Sequence, residues 1–358
     1  MRRMRRWNFL FFIWLSLFAI ACQAQVEEQL EHIPSAEIEA DDEERTTSRA
    51  VSLEQTSTFS KEELENVQSV GNVKLTEIEP LEIYDDLFIA GSSSVHPLVQ
   101  ALYDRFIEEG FSGVIEIESI TSGDGFRLLC EGTTDIASAS RRMEGRFLEA
   151  CKERGFNPIP FRIGTSAVVI IVNAKNDFAS NISLEELARI FTAEKWSDVN
   201  SNWPDEDIIR FIPIAESGIV DFFGARILAE DFESLIEAPN TTEDEDQNLV
   251  ARSVALEPYG VAFVSYAYYK ANSRELNLVS IQGITANLET VNSEQYPLTR
   301  PLFLYSDAKI MQDKPQVAAF LNFFLSNVNE EIPKVGYFPA TVEALDEAEL
   351  NWLEATEN

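Results

Sequence analysis

The amino-acid sequence predicts an α/β fold built on mostly parallel sheets. From about residue 81 onward, short apolar strand patterns alternate with helix patterns, which is typical of parallel sheets with crossover helices. Residues 168–172 form a continuous β-branched run, which is typical of a strand buried on both faces. Four of the strand patterns end in turns rich in serine and glycine, and three of these turns lead directly into helix patterns.

These elements can be followed in order along the chain. The main strand patterns are residues 87–90, 114–117, 135–137, 168–172 and 211–214. Helix patterns follow the first two and the last of them, after residues 94, 125 and 218. A capping-box pair, Ser183 with Glu186, predicts a helix over residues 183–191. Pro315 is predicted to begin the last long helix, over residues 317–325.

Length and charge narrow the classes of function. The chain has 358 residues, enough for two domains and appendages, and 45% of them are hydrophobic. Its formal net charge of −33 argues against nucleic-acid binding, which depends on clustered lysine and arginine. A negative surface does not exclude an anion site, because salt screens distant charges beyond about 8–10 Å.

Residues 1–22 are predicted to be a lipoprotein signal peptide. Four arginines among the first six residues precede an apolar stretch over residues 9–21. That stretch is short for the roughly 30 Å of a membrane core, so a permanent transmembrane helix is the weaker interpretation. It ends in Ala19-Ile20-Ala21-Cys22, which resembles a bacterial lipobox, so Cys22 is predicted to carry a lipid. The alternative is ordinary signal cleavage near Ala24.

Residues 23–80 are predicted to form an acidic, flexible tether. They are rich in glutamate, serine and threonine and poor in aromatic residues. As a coil, such a segment would span on the order of 40 Å, enough to hold a folded domain clear of a membrane.

Two cysteines, Cys130 and Cys151, lie beyond the signal peptide. An exported chain meets an oxidising environment, so we expect this pair to form a disulfide. A zinc site is not expected, because the only histidines are His32 and His96 and no Cys-x-x-Cys motif occurs. No metal or cofactor is predicted.

The serine- and glycine-rich turns predict an anion site. Ligands bind open α/β sheets at the carboxyl ends of strands, where the first N–H groups of a helix lack partners and favour anions. Serine hydroxyls add neutral donors, and glycine lets backbone amides come close. Arg141 would supply a positive charge as a two-pronged donor. The predicted donors are Ser94, Ser122, Gly123, Ser140, Arg141, Ser217 and Gly218.

The sequence resembles the phosphate-binding protein family of phosphate ABC transporters from about residue 85 to residue 340. The segments that carry the resemblance are Gly91-Ser92-Ser93-Ser94-Val95-His96-Pro97, Ser122-Gly123-Asp124-Gly125-Phe126, residues 134–141, residues 195–200, Glu216-Ser217-Gly218, residues 266–269 and residues 296–302. The positions of Cys130 and Cys151 also resemble a cysteine pair found in one branch of the family.

The resemblance implies a two-lobed periplasmic-binding-protein fold of type II, the Venus-flytrap arrangement, in which each lobe is a doubly wound, mostly parallel sheet. One lobe would comprise residues 81–165 plus 297–358 and the other residues 166–296. The implied function is capture of inorganic phosphate outside the cytoplasmic membrane for an ABC permease, by a lipid-anchored monomer without catalytic activity. The resemblance also places Ser93 beside the first donor, Ser94.

Several residues depart from the family pattern. The usual Ser-Gly-Thr reads Ser217-Gly218-Ile219, which removes one hydroxyl donor. Well-known members have an aspartate where Ser140 stands, and an arginine where this chain has Pro213. Arg141 is therefore interpreted as the replacement arginine. A buried carboxylate could accept the proton that phosphate retains near neutral pH and so discriminate against sulfate. Glu216 and Asp124 are the candidates for this role.

Three alternatives remain open. The first is a receptor for another oxyanion, such as sulfate, molybdate or tungstate, on the same fold. The second is a hydrolase, but a nucleophile needs a neighbouring base, the only histidine of the predicted folded part is His96, and no Gly-x-Ser-x-Gly elbow is present. The third is a surface sensor or adhesion lipoprotein that no longer serves a transporter.

Overall fold

The computed structural model describes residues 73–215 and 217–357. Its strands are β1 (Leu87–Ser92), β2 (Ile115–Ile120), β3 (Ile136–Ala139), β4 (Ile159–Asn173), β5 (Asn181–Ile182), β6 (Ile209–Pro213), β7 (Thr241–Asp244), β8 (Gly260–Ser265), β9 (Leu276–Leu278), β10 (Ser280–Ile281) and β11 (Thr299–Ser306). Strands alternate with helices through most of this range, so the predicted α/β class is confirmed.

The helices occupy the connections between these strands and the end of the chain. They are α1 (His96–Glu108), α2 (Ser122–Cys130), α3 (Gly145–Glu153), α4 (Leu184–Ile190), α5 (Trp196–Val199), α6 (Gly218–Ile227), α7 (Phe232–Ile236), α8 (Gln247–Leu256), α9 (Tyr266–Ala271), α10 (Leu288–Asn292), α11 (Ala308–Asp313), α12 (Pro315–Glu331) and α13 (Val342–Thr356). The predicted capping box at α4 is confirmed, since Ser183 and Glu186 exchange hydrogen bonds.

One continuous sheet has the strand order β2-β1-β3-β11-β4-β8-β6-β7, with β9 also paired to β4. Both ends of this sheet are parallel, because β1 pairs in parallel with β2 and β3, and β6 with β7 and β8. The middle is antiparallel, where β11 crosses between β3 and β4. Two parallel regions are therefore joined through the long strands β4 and β11.

Strand β4 runs through both regions. Its first part, residues 159–167, pairs with β11, and its second part, residues 168–172, pairs with β8. Residues 168–172 are at most 1% exposed, as expected of a strand covered on both faces. The predicted strand is confirmed, but it is longer than the β-branched run that indicated it.

The hydrophobic side chains form two main cores. One draws its buried residues from residues 167–298, together with Phe338, and surrounds the second part of β4. The other draws them from residues 75–163 and 302–355, around β1, α1 and α12. Each parallel region of the sheet thus has a core of its own.

The carboxyl-terminal helix α13 was not expected. The sequence predicted that the helix beginning at Pro315 is the last long one, and that prediction was wrong, because α13 spans another 15 residues. Its acidic residues dilute the apolar pattern, but Thr341 caps its first turn, and the indole N–H of Trp352 donates to the Ala318 carbonyl of α12. Packing against α12 therefore supports a helix that its apolar pattern alone indicates weakly.

The amino-terminal predictions fall largely outside the described residues. The signal peptide, Cys22 and residues 23–72 of the tether all lie there. Residues 73–79, which the prediction assigned to the tether, lie against the folded part instead: Leu75 is buried, and the Thr76 carbonyl accepts a hydrogen bond from Asn322 of α12. No helix in the described part of the chain is long and apolar enough to cross a membrane.

The predicted disulfide is confirmed. A bond joins Cys130, the last residue of α2, to Cys151 in α3. It ties α2 to the helix that follows β3, so the helices that come after two of the serine-bearing turns are covalently linked.

Candidate functional site

The first serine turn connects β1 to α1. Ser92 ends β1 and is buried, Ser94 is buried two residues later, and Ser93 between them is exposed. The N–H of Ser94 donates to Ser92 Oγ at 3.3 Å. Gly91 allows this strand to approach its neighbour, because a Cβ there would collide with the backbone of Ser138 in β3.

The second turn connects β2 to α2. Thr121 caps the helix by accepting the Asp124 N–H at 3.1 Å, and its hydroxyl donates to the Asp124 carboxylate at 2.8 Å. The first intrahelical bond runs from the Gly125 N–H to the Thr121 carbonyl. Within the described part of the chain, the N–H groups of Ser122 and Gly123 therefore have no acceptor, as is normal for a first helical turn.

The third turn brings Ser140 to the first two. Ser92 Oγ donates to Ser140 Oγ at 3.0 Å, and the Ser140 N–H donates to Ser122 Oγ at 3.2 Å. The hydroxyls of Ser122 and Ser140 are 3.5 Å apart. The carboxyl ends of β1, β2 and β3 thus meet in one network of serine groups.

The fourth turn connects β6 to α6 and comes from the region with the other core. Ser217 is the residue before α6, and its hydroxyl donates to the Ile214 carbonyl at 2.7 Å. The first N–H bonds of the helix, from Val220 and Asp221, go to the Ser217 carbonyl. Among the described residues, the N–H groups of Gly218 and Ile219 have no acceptor.

Gly218 is the point where this fourth turn touches the first. A Cβ at Gly218 would lie 3.5 Å from Ser94 Oγ and would overlap the Ser93 hydroxyl. Ser93, Ser94 and Gly218 are therefore neighbours, although they come from opposite ends of the sheet. Of the predicted donors, Ser94, Ser122, Gly123, Ser140 and Gly218 lie in this continuous set of turns, and Ser217 is adjacent through its backbone.

Arg141 lies at the edge of the set rather than inside it. Its guanidinium is 2.9 Å from the Glu144 carboxylate, rests over the ring of Phe126 at 5.1 Å, and its side chain is 38% exposed. One of its nitrogens lies 3.4 Å from the position that a Cβ on Gly123 would occupy. It therefore stands beside the start of α2, where it could turn toward a ligand.

The two candidate proton acceptors differ in what the structure describes. Asp124 is exposed, and its carboxylate accepts a hydrogen bond from the Thr121 hydroxyl and lies 3.7 Å from the Arg127 guanidinium. The carboxylate therefore stabilises the first turn of α2. Glu216 lies outside the described residues. The assignment of either residue to phosphate recognition stays a prediction.

Arg300 connects the first and fourth turns. It lies in β11 and is only 6% exposed, and its Nη1 donates to Ser94 Oγ at 2.5 Å and to the Gly218 carbonyl at 3.1 Å. Its guanidinium covers the ring of Phe222 in α6 at 4.5 Å. Burial lowers the pKa of Arg300 to about 10, so the side chain remains charged near neutral pH.

A family model for a PBP superfamily domain matches residues 55–328 of the chain. The chain belongs to the PBP superfamily. Protein SphX of Synechocystis sp. is 32% identical to this chain over 277 residues, and the alignment covers 74% of this chain and 81% of SphX. The phosphate-binding protein PstS of Staphylococcus haemolyticus is 29% identical over 254 residues, covering 69% of this chain and 78% of that protein. The resemblance to phosphate-binding proteins is confirmed.

Solved structures of PBP-superfamily relatives share the fold. A possible phosphate binding protein from Planctomyces limnophilus superposes with a TM-score of 0.66 at 25% identity, covering 77% of this chain and 100% of that chain. PstS from Borrelia burgdorferi superposes with a TM-score of 0.56 at 20% identity, covering 72% of this chain and 99% of that one. The predicted two-lobed periplasmic-binding-protein fold is confirmed.

Two residues of this PBP-superfamily site were missed at the level of sequence. Ser92 is not among the predicted donors, which include its neighbours Ser93 and Ser94, although a serine at the end of a buried strand favours a position beside the site. Arg300 lies within residues 296–302, a segment that resembles the family, but a single arginine in an apolar strand gives no indication of what it faces. Only the packing of β11 reveals its contacts.

Proposed function

We propose that this protein captures inorganic phosphate outside the cytoplasmic membrane and delivers it to an ABC importer. The observation that carries the proposal is the convergence of serine turns from β1, β2 and β3 with the start of α6. The names of PstS relatives, which are phosphate-binding proteins, support phosphate as the ligand.

The geometry suits a tetrahedral anion. Two helices, α2 and α6, begin at the site, and each has two leading N–H groups without an acceptor among the described residues. Such groups lie at the positive end of a helix and favour anions. The hydroxyls of Ser94, Ser122 and Ser140 add short, neutral donors between the two helix starts.

We assign the lobes as residues 81–165 plus 297–358 and residues 166–296. The assignment is supported by the separate cores, which meet at β4 and β11. On this division, Ser94, Ser122, Ser140 and Arg300 belong to one lobe and Gly218 to the other. A ligand that bonds to both sets would hold the lobes together.

The remaining parts of the proposal concern location and partners. We place the protein on the outer face of the cell membrane through lipid on Cys22, with residues 23–72 as the tether, and expect a monomer that meets a permease. No catalytic step is assigned to it, because an enzyme would need a base beside a nucleophile. None of the three serine hydroxyls has a histidine among its recorded hydrogen-bond partners in the described chain.

Isothermal titration of the full chain with phosphate, sulfate and molybdate tests the proposal. We expect tight binding of phosphate and weak binding of the other two anions. Ser122→Ala should weaken phosphate binding on the order of ten- to a hundredfold, since a hydrogen bond to a charged group contributes roughly 1.5–3 kcal/mol. Ser197→Ala is the matched control, because that hydroxyl bonds to Asp205 in another part of the fold.

A preference for sulfate or molybdate would refute the phosphate assignment. If the protein binds phosphate but cells that lack it take up phosphate at an unchanged rate, the sensor interpretation is favoured over transport.

A further inference from the structure

We propose that Arg300 sets the charge preference of the anion site, by orienting the Ser94 hydroxyl toward the ligand and favouring a doubly charged anion over a singly charged one. This inference rests on the proposed function, since it concerns the same site. It assigns a role to a residue that the donor set predicted from sequence did not include.

The first argument is the position of the guanidinium. Arg300 Nη1 donates both to Ser94 Oγ, in the turn after β1, and to the Gly218 carbonyl, at the start of α6. These two groups belong to turns that flank the proposed ligand position. Arg300 therefore stands directly behind the donors, at a point where the two main cores meet.

The second argument is the direction of the Ser94 proton. A hydroxyl has one proton to donate, and Ser94 Oγ already accepts from Arg300. Within the described part of the chain, that proton has no acceptor. The proton is therefore available to an anion in front of the turn, and the arginine acts on the ligand through the serine it positions.

The third argument is that Arg300 forms no ion pair with any of the described residues. Asp221 acts on Arg300 electrostatically without forming an ion pair, and Arg300 Nε is buried without an acceptor among the described residues. A buried charge is costly unless another charge compensates it. A bound anion would supply that compensation, and a dianion would supply more of it than a monoanion.

The charged and titratable groups around Arg300 are few. Asp221 of α6 and the buried Tyr337 before α13 both interact with it electrostatically. Burial raises the pKa of Tyr337, so this tyrosine stays neutral near neutral pH, and partial desolvation raises the pKa of the exposed Asp221. Asp221 is therefore the carboxylate whose effect on Arg300 has to be tested. Glu216, two residues before Gly218, lies outside the described residues.

Arg141 differs from Arg300 in solvent exposure and partner. It is 38% exposed and pairs with Glu144, so water and a local carboxylate screen its charge. Arg300 is 6% exposed and faces the site from the low-dielectric interior, where electrostatic interactions are stronger. The preference between ligand charge states is therefore expected to depend on Arg300 more than on Arg141.

The test is the pH dependence of phosphate affinity across the second ionisation of phosphate, measured by calorimetry on the full chain. The unaltered protein should bind more tightly as the dianion forms. Arg300→Gln should lose affinity on the order of ten- to a hundredfold and should lose most of this pH dependence. Arg300→Lys should keep the pH dependence, although the contact with Ser94 is altered. Arg226→Gln, an exposed arginine of α6, is the control.

A second variant covers the case in which Arg300→Gln does not fold. Asp221 is exposed, so Asp221→Asn should fold, and removing its charge should strengthen phosphate binding severalfold, more at high pH than at low pH. Equal affinity and an unchanged pH profile in Arg300→Gln overturn this inference alone. A loss of affinity with the pH profile retained assigns Arg300 a structural role and also overturns it. Failure of the unaltered protein to bind phosphate overturns both this inference and the proposed function.

Discussion

Four serine oxygens of the site each accept a hydrogen bond that helps fix where the hydroxyl proton points. Arg300 donates to Ser94, the Ser94 N–H donates to Ser92, Ser92 donates to Ser140, and the Ser140 N–H donates to Ser122. Because each acceptor position is used in this way, the hydroxyl protons are directed within the network or toward the ligand. An anion would meet donors already arranged, and this reduces the entropy lost on binding.

Gly218→Ala tests this arrangement at a single atom. The new Cβ would overlap the Ser93 hydroxyl, so the Ser93 side chain would be displaced, whereas Ser94 Oγ, at 3.5 Å, would only be in van der Waals contact with it. We expect phosphate affinity to fall about tenfold, with little change in the thermal unfolding midpoint, since Ser93 is exposed and can move. Titration calorimetry measures the first quantity and calorimetric unfolding the second.

Gly145→Ala is the matched control. Gly145 is also the first residue of a helix, α3, and a Cβ there has no atom within 4 Å. Its affinity for phosphate should remain that of the unaltered protein. Equal affinities for Gly218→Ala and Gly145→Ala would show that the Ser93–Gly218 contact does not shape the site.

Among the elements, helices α2 and α6 do most to define the site, since each begins there with unpaired N–H groups. Their anchoring differs. Helix α2 is tied to α3 by the Cys130–Cys151 disulfide, whereas α6 packs on its own core through Val220 and Phe223. The helix that carries the Ser122 and Gly123 donors is therefore anchored covalently at its other end, whereas the start of α6 is held by the contact of Gly218 with Arg300.

Helix α13 carries a prediction about pH. Burial, with a smaller effect of Asp346, raises the pKa of Glu349 from 4.5 to about 7. The folded protein therefore holds a proton on Glu349 in the interval from about 4.5 to about 7, where the unfolded chain releases it. Stability must fall as the pH rises through that interval. We expect this residue to account for a loss of roughly 1–2 kcal/mol, since part of the shift is screened by solvent.

Denaturant unfolding at several pH values measures this effect. Glu349→Gln should remove the part of the decline in unfolding free energy that Glu349 causes, because glutamine is neutral in both the folded and the unfolded state. Glu347→Gln, at an exposed position of the same helix, should leave the decline unchanged. A decline of the same size in Glu349→Gln and in the unaltered protein would mean that other groups cause it.

At the scale of the whole molecule, a strongly acidic chain is proposed to bind an anion. The formal net charge is −33, yet the site itself contains Arg300 and two helix starts, with Arg141 at its edge. Affinity is set within a few ångströms, where these donors act, whereas the approach of a free anion depends on the long-range field of the whole surface. The equilibrium affinity for phosphate and its association rate constant should therefore respond differently to salt.

We expect the association rate constant for phosphate to rise severalfold with added potassium chloride. Raising the ionic strength from about 0.01 M to about 0.1 M shortens the screening length from roughly 30 Å to roughly 10 Å and so weakens the repulsion between protein and anion. Stopped-flow measurement at fixed phosphate concentration gives the rate, with sucrose at equal osmolarity as the control. A rate that falls with salt would show that the arginines near the site dominate the approach.

Sequence patterns alone indicated a large part of this protein. The alternation of strands and helices, the buried strand of β4, the capping box of α4 and the disulfide all follow from residues that are close in sequence or from a pair of cysteines with no competing partner. The serine turns were also visible, because strand ends and helix starts are local features. The sequence likewise suggested that the turns after neighbouring parallel strands would lie together, since parallel strands place their carboxyl ends at one edge.

The tertiary structure decided the contacts made across long separations. Ser94 and Arg300 are 206 residues apart, and Gly218 and Arg300 are 82 apart, so no local pattern could pair them. Arg141 was expected to be the positive charge within the site, but it lies at the edge of the site beside Glu144. The buried arginine is Arg300, and its surroundings depend on how β11 packs. Helix α13 depends in the same way on its contact with α12. Local chemistry selected the kinds of donor, and packing determined which of them meet.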